Sequence, residues 1–176
     1  MMKRFIALAL SLIMILGVTA VFADEAEKTE MGVLDVNGTF TIRSRIPEGY
    51  TFVTVTNTSL NIVGLLAAGE DMPFVTVSIA YNEEYKDTER FNDVDEAVVE
   101  EIRESFLELD EEVTFEDLET AYGTRLLKVT GDGFVDIYTI YKGYELEFVM
   151  TGANLTEASV QMLVDFISDM DFVAAE

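Results

Sequence analysis

The sequence predicts an α+β protein in which an antiparallel β-sheet carries two principal helices. Three observations predict it. Apolar residues alternate at a period of two over several short runs, turns of two or three residues containing glycine join those runs, and only two segments switch to helical spacing. Strands and helices segregated in this way indicate an antiparallel sheet, because a doubly wound parallel sheet needs a helix between nearly every pair of strands.

Residues 1–23 read as a signal peptide ahead of this domain. Lys3 and Arg4 form a positive start, Phe5 to Val18 is apolar except for Ser11 and Gly17, and small residues lead through Val21-Phe22-Ala23 to Asp24. Cleavage near Ala23 is expected, giving a secreted or periplasmic protein with no stable membrane anchor. Left uncleaved, Phe5 to Ala23 is 19 residues, long enough to hold the chain in a bilayer. The chain has no cysteine, so a lipid-modified cysteine anchor is excluded. Residues 24–38 read as a flexible acidic lead-in ending at the turn signal Asn37-Gly38, and 39–176 as a single domain.

Phe40, Ile42 and Ile46 sit at even spacing with Thr41, Arg43 and Arg45 between them, the pattern of a strand with one buried face. Pro47-Glu48-Gly49 turns the chain into the β-rich runs Phe52 to Thr56 and Leu60 to Ala67. Gly69-Glu70-Asp71 then connects to Phe74 to Tyr81. At Asn92-Asp93 the period changes. Asp93 as N-cap with Glu96 three residues on has capping-box spacing. Val94, Ala97, Val98, Ile102, Phe106 and Leu109 make the core stripe of a first helix, Val94 to Leu109, whose outer face is acidic. Val113 to Thr120, Arg125 to Thr130, Phe134 to Tyr141 and Tyr144 to Thr151 form a meander, turning at Tyr122-Gly123, Gly131-Asp132-Gly133 and Lys142-Gly143. In the last strand Tyr144, Leu146, Phe148 and Met150 face one way and Glu145, Glu147 and Thr151 the other. A second helix, Leu155 to Asp169, opens with Asn154 as N-cap and places Val160, Leu163, Val164, Ile167 and Met170 on its core stripe.

A strand running into Ile46-Pro47-Glu48-Gly49-Tyr50, then further strands, a helix, a meander and a closing helix ending in Phe166-Ile167-Ser168 and Phe172, resembles the Mog1/PsbP-like fold group of small exported bacterial proteins. The resemblance covers Thr39 to Val173. It implies an accessory, binding or assembly role and carries over no catalytic residue.

Composition narrows the chemistry. With no histidine and no cysteine, the chain cannot build a Ser-His-Asp triad, a thiol nucleophile, a zinc finger or an iron-sulfur site. With 34 acidic against 11 basic residues the formal charge is -23, which repels a phosphate backbone, so nucleic acid is not an expected partner. Any metal would have to sit among oxygen ligands. Asp87, Asp93, Asp95 and Glu96 at the entry to the first helix are the weak candidates, and calcium is the ion such a set would take. The run Asn92 to Glu96 lacks the glycine of an EF-hand loop, and the ordinary reading is a solvated acidic face.

Asp136 is the most unusual single acid. It shares a strand face with Phe134, Tyr138 and Ile140, where a carboxylate is either catalytic or exposed at a bend or edge. Tyr138, Tyr141 and Tyr144, with Asp136, are the candidate ligand surface for a sugar or a peptide, each ring having an apolar face and a polar tip; cross-strand packing explains the tyrosines without a ligand and is the favoured reading. Two function classes follow. The first is a non-catalytic exported acidic domain, without a cofactor, binding a protein or envelope component. The alternative is a carboxylate-based or divalent-cation-dependent hydrolase, against which the missing histidine counts.

Overall fold

A computed structural model describes residues 31–67, 73–152 and 155–175. The leader, residues 24–30, the connection at Gly69-Glu70-Asp71 and the expected cap Asn154 lie outside the described residues. The chain runs β1 (Met31–Val36), β2 (Phe40–Arg45), β3 (Thr51–Asn57), β4 (Asn61–Ala67), β5 (Phe74–Tyr81), α1 (Glu96–Leu107), β6 (Thr114–Glu119), β7 (Arg125–Gly131), β8 (Phe134–Tyr141), β9 (Tyr144–Thr151), α2 (Glu157–Ser168) and β10 (Asp171–Ala174). The α+β class holds, with every strand pairing antiparallel.

There are two sheets where one was expected. Seven strands lie in the order β3-β4-β5-β9-β8-β7-β6, and three more in the order β1-β2-β10. From Met31 onward the smaller sheet corrects the reading of 24–38 as a flexible lead-in, because Met31–Val36 is a strand registered along the length of β2. Asn37 and Gly38 close that hairpin at φ 53° and 70°, with the Thr39 N–H donating to the Val36 carbonyl at 2.9 Å. Left-handed backbone at both central positions is the turn whose twist matches the strands it joins, and Asn-Gly supplies it with little strain.

The helix starts also differ. Asp95, not Asp93, caps α1: its side chain accepts from the Ala97 N–H at 2.9 Å, while Phe91–Asp93 forms a 3-10 turn. The buried stripe is accordingly Val99, Ile102 and Phe106, and Leu109 lies past the helix end, exposed. Thr156 caps α2 in a capping box with Ser159.

These connections cover both faces of the seven-stranded sheet. The chain leaves β5 at its centre, follows α1 across one face to the far edge, and returns through the meander until β9 lies beside β5. On that face Val99, Ile102 and Phe106 of α1 pack with Leu127, Val129, Tyr138 and Ile140. On the other, Leu163, Phe166 and Ile167 of α2 and Phe40 and Ile42 of β2 meet Ile79, Ile137, Leu146 and Phe148. Burying an aliphatic or phenyl side chain of this kind contributes about 1.5–3 kcal/mol before entropy is counted, so the fold needs no disulfide.

Candidate functional site

The structure separates the expected site residues. Asp87, Asp93, Asp95 and Glu96 do not converge: Asp95 is occupied as the α1 cap, and Glu96 meets Arg125 at 3.0 Å and Arg103 at 3.4 Å. The Arg125 hydrogen bonds hold the Glu96 carboxyl below its usual range. Asp117 completes this surface network, 2.7 Å from Arg103 and 2.8 Å from Arg125. Among the described residues no group of three or more acids is placed to hold a metal ion. Tyr138, Tyr141 and Tyr144 are interior, which corrects their reading as a ligand surface. Tyr141 donates to the Phe172 carbonyl at 3.0 Å, and Tyr144 packs edge-on against Phe40 and Tyr81. Their hairpin joins two strands near the sheet centre, so packed elements cover the rings.

Asp136 is also buried, and the fold gives it company. Successive side chains along a strand point to opposite faces. The β8–β9 register sets Asp136 opposite Val149, Tyr138 opposite Glu147 and Ile140 opposite Glu145, so all three acids share the face on which α1 lies. Asp136 is 4 % exposed and Glu145 and Glu147 are each 6 % exposed, so none of them sits on an open edge. Glu145 is satisfied, accepting from Tyr138 Oη at 2.7 Å and from Asn82 Nδ2 at 3.0 Å. The Oδ1 atom of Asp136 has no hydrogen-bond partner among the described residues.

Among the described residues no arginine or lysine pairs with any of the three. Burial in an apolar setting without a counter-charge favours the neutral acid. Burial therefore pushes Asp136 up to about 7, against a hydrogen bond from the Phe148 backbone. Glu147 is raised well above its ordinary value by burial and then by the charges of Asp136 and Glu145. Glu145 is raised by burial, opposed by its bonds from Tyr138 and Asn82. Tyr138 is raised well above its ordinary value by burial and by Glu145, so it stays a proton donor. Burial thus shifts all three carboxyls toward the neutral form. Glu145 and Glu147 escape a reading of the sequence because alternation shows only that they share a face, not that a helix closes over it.

The opposite face of the same strands carries a cavity of about 180 Å³. Gly32 and Leu34 of β1, Ile42 and Ser44 of β2, Phe52 and Leu66 of the large sheet, Val77, Phe148, and Phe166 and Met170 near α2 line it. Gly32 keeps this wall thin, since a Cβ there would stand 3.3 Å from Ile46 Cγ1. Among the described residues no charged side chain lines the cavity, and Ser44 is the one polar side chain of the lining. A dry apolar cavity of about 150 Å³ is known to accept a benzene-sized guest, so this one has room for a single small apolar group.

No protein-family model, curated protein or solved structure matches this chain. The two features must therefore be read from their chemistry. Val77 and Phe148 line the cavity, and their neighbours Ser78 and Glu147 point to the other side of the sheet, paired with each other across β5 and β9. One sheet thickness separates the cavity from the buried acids. Among the described residues no helix is long and apolar enough to cross a membrane.

Proposed function

We propose that this is an exported, non-catalytic acidic protein of the bacterial envelope or extracellular space, which binds an uncharged apolar group of an envelope component or partner in the cavity between its two sheets. The observation that supports the reading best is the separation of cavity and acids. Among the described residues a ligand beside Phe148 meets no titratable side chain of the lining, because Glu147, one residue away, faces the far side of the sheet. General acid–base work needs a carboxyl within hydrogen-bond reach of the reacting group, and the three perturbed acids are instead enclosed with Tyr138 and Asn82. The leader and the resemblance to the Mog1/PsbP-like group support export and an accessory role. The hydrolase reading has the Asp136–Glu147 pair in its favour; it also needs a route for substrate to groups no more than 6 % exposed.

Calorimetric titration of the full-length protein with toluene, a neutral aryl ligand of the size the cavity holds, tests the cavity. Saturable binding with one site is expected in the parent, and a loss of about tenfold or more in Ser44→Phe, whose ring would occupy the cavity, a change of roughly 1.4 kcal/mol. Absence of saturable binding in the parent, or equal affinity in a folded Ser44→Phe variant, would remove the basis for this function.

A further inference from the structure

Charge is distributed unevenly along the seven-stranded sheet. β3, β4 and β5 contain no charged residue. At the other end β6 carries Glu116, Asp117 and Glu119, β7 carries Arg125 and Lys128, and the acidic α1 packs over this end. With neighbouring strands about 4.8 Å apart, the six steps of the sheet order put β6 roughly 29 Å from β3.

The two edges of the sheet are therefore unlike. An edge strand presents a row of free N–H and C=O groups, and proteins commonly blunt it with charge or proline. β6 has its acids for this purpose. β3, Thr51-Phe52-Val53-Thr54-Val55-Thr56-Asn57, has neither charge nor proline, and among the described residues it pairs only with β4. Exposed apolar side chains lie on this edge strand and in the turn that leaves it: Val53 is 51 % exposed, Val55 is also exposed, and Leu60, just before β4, is 59 % exposed. The register shift between Thr54 and Thr56 leaves Thr51 to Thr54 as the regular stretch.

We propose that β3 pairs antiparallel with β3 of a second copy of this chain, joining two seven-stranded sheets across a two-fold axis. Antiparallel pairing of a strand with itself is self-complementary, so the alternating Val and Thr side chains of one copy meet the same residues of the other. The acids of β6 and α1 stay at the outer ends of such a pair, several Debye lengths of about 8 Å apart at physiological salt, while Glu48, three residues before β3, stays near the paired edge. A basic partner strand would find no anion on β3, β4 or β5. The pairing is independent of the cavity, since Val53 faces away from its neighbour Phe52, which lines it.

Sedimentation velocity of the full-length protein over a concentration series, together with cysteine cross-linking, tests this. The chain has no native cysteine, so each introduced one reports its own position. A twofold rise in mass with concentration is expected, reduced to monomer by Val53→Lys with unchanged circular dichroism. At least one of Thr51→Cys, Val53→Cys and Thr54→Cys should oxidise to a disulfide-linked dimer, and Glu116→Cys on the opposite edge should not. A parent that stays monomeric throughout, or cross-links through Glu116→Cys as readily as through β3, would overturn the proposal.

Discussion

Asp136 is where a single residue shapes the behaviour of the protein most. Its carboxyl is pushed up to about 7 by burial, whereas in the unfolded chain it titrates near 3.9. Between those values the folded state holds a proton that the unfolded chain has released. The stabilising contribution is thus complete below about pH 4 and is lost as pH rises through about 7, on the order of 4 kcal/mol by linkage. Glu147, raised in the same direction, extends the loss to higher pH. Asp136→Asn keeps the shape and removes the ionisation. It is expected to raise the melting temperature in mildly alkaline buffer and to flatten the pH dependence of unfolding between about pH 4 and 7; an unchanged slope would show that Asp136 is not the titrating group. Asp136 was legible as an acid on an apolar strand face. Its partners were not, because Glu145 and Glu147 alternate with apolar residues just as solvent-facing glutamates do.

At the scale of elements, the strands and helices were legible from period and punctuation, and their ends were not. Asp93 and Asp95 are both good caps, and the capping-box spacing to Glu96 favours Asp93. The cap falls to Asp95 because Phe91 is buried beneath Tyr138, drawing Phe91–Asp93 into a 3-10 turn, and Arg90 bridges to Tyr141. Asp95→Ala is expected to lower stability by about 1 kcal/mol and Asp93→Ala to have little effect, measured by urea unfolding. Equal losses would place the cap wrongly. The Asn37-Gly38 turn was visible in the sequence as well; its hairpin was hidden because Asp35 and the acids before Met31 give β1 the look of a polar tail.

For the whole molecule, charge is the property that conditions act on most. A formal charge of -23 repels itself, and salt screens that repulsion, so added sodium chloride should raise the melting temperature. Asp95 is held as a cap and Glu96 by two arginines, so calcium and magnesium at matched ionic strength are expected to shift it equally. A shift with calcium alone, read by thermal unfolding in chelator and then in each ion, would point to a cation site that these pairings hide.

The sequence by itself determined the α+β class, the antiparallel meander, the two helices, the acidic balance and the exclusion of chemistry that depends on histidine or cysteine. Each depends on residue type and spacing over a few turns of chain. Tertiary structure decided that β9 lies between β5 and β8, that α1 closes over the face holding Asp136, Glu145 and Glu147, and that β10 joins β2 in a second sheet bordering the cavity. Alternation records which side chains share a face. What covers that face depends on pairings between segments far apart in the chain, and those set whether a glutamate meets water or an apolar interior.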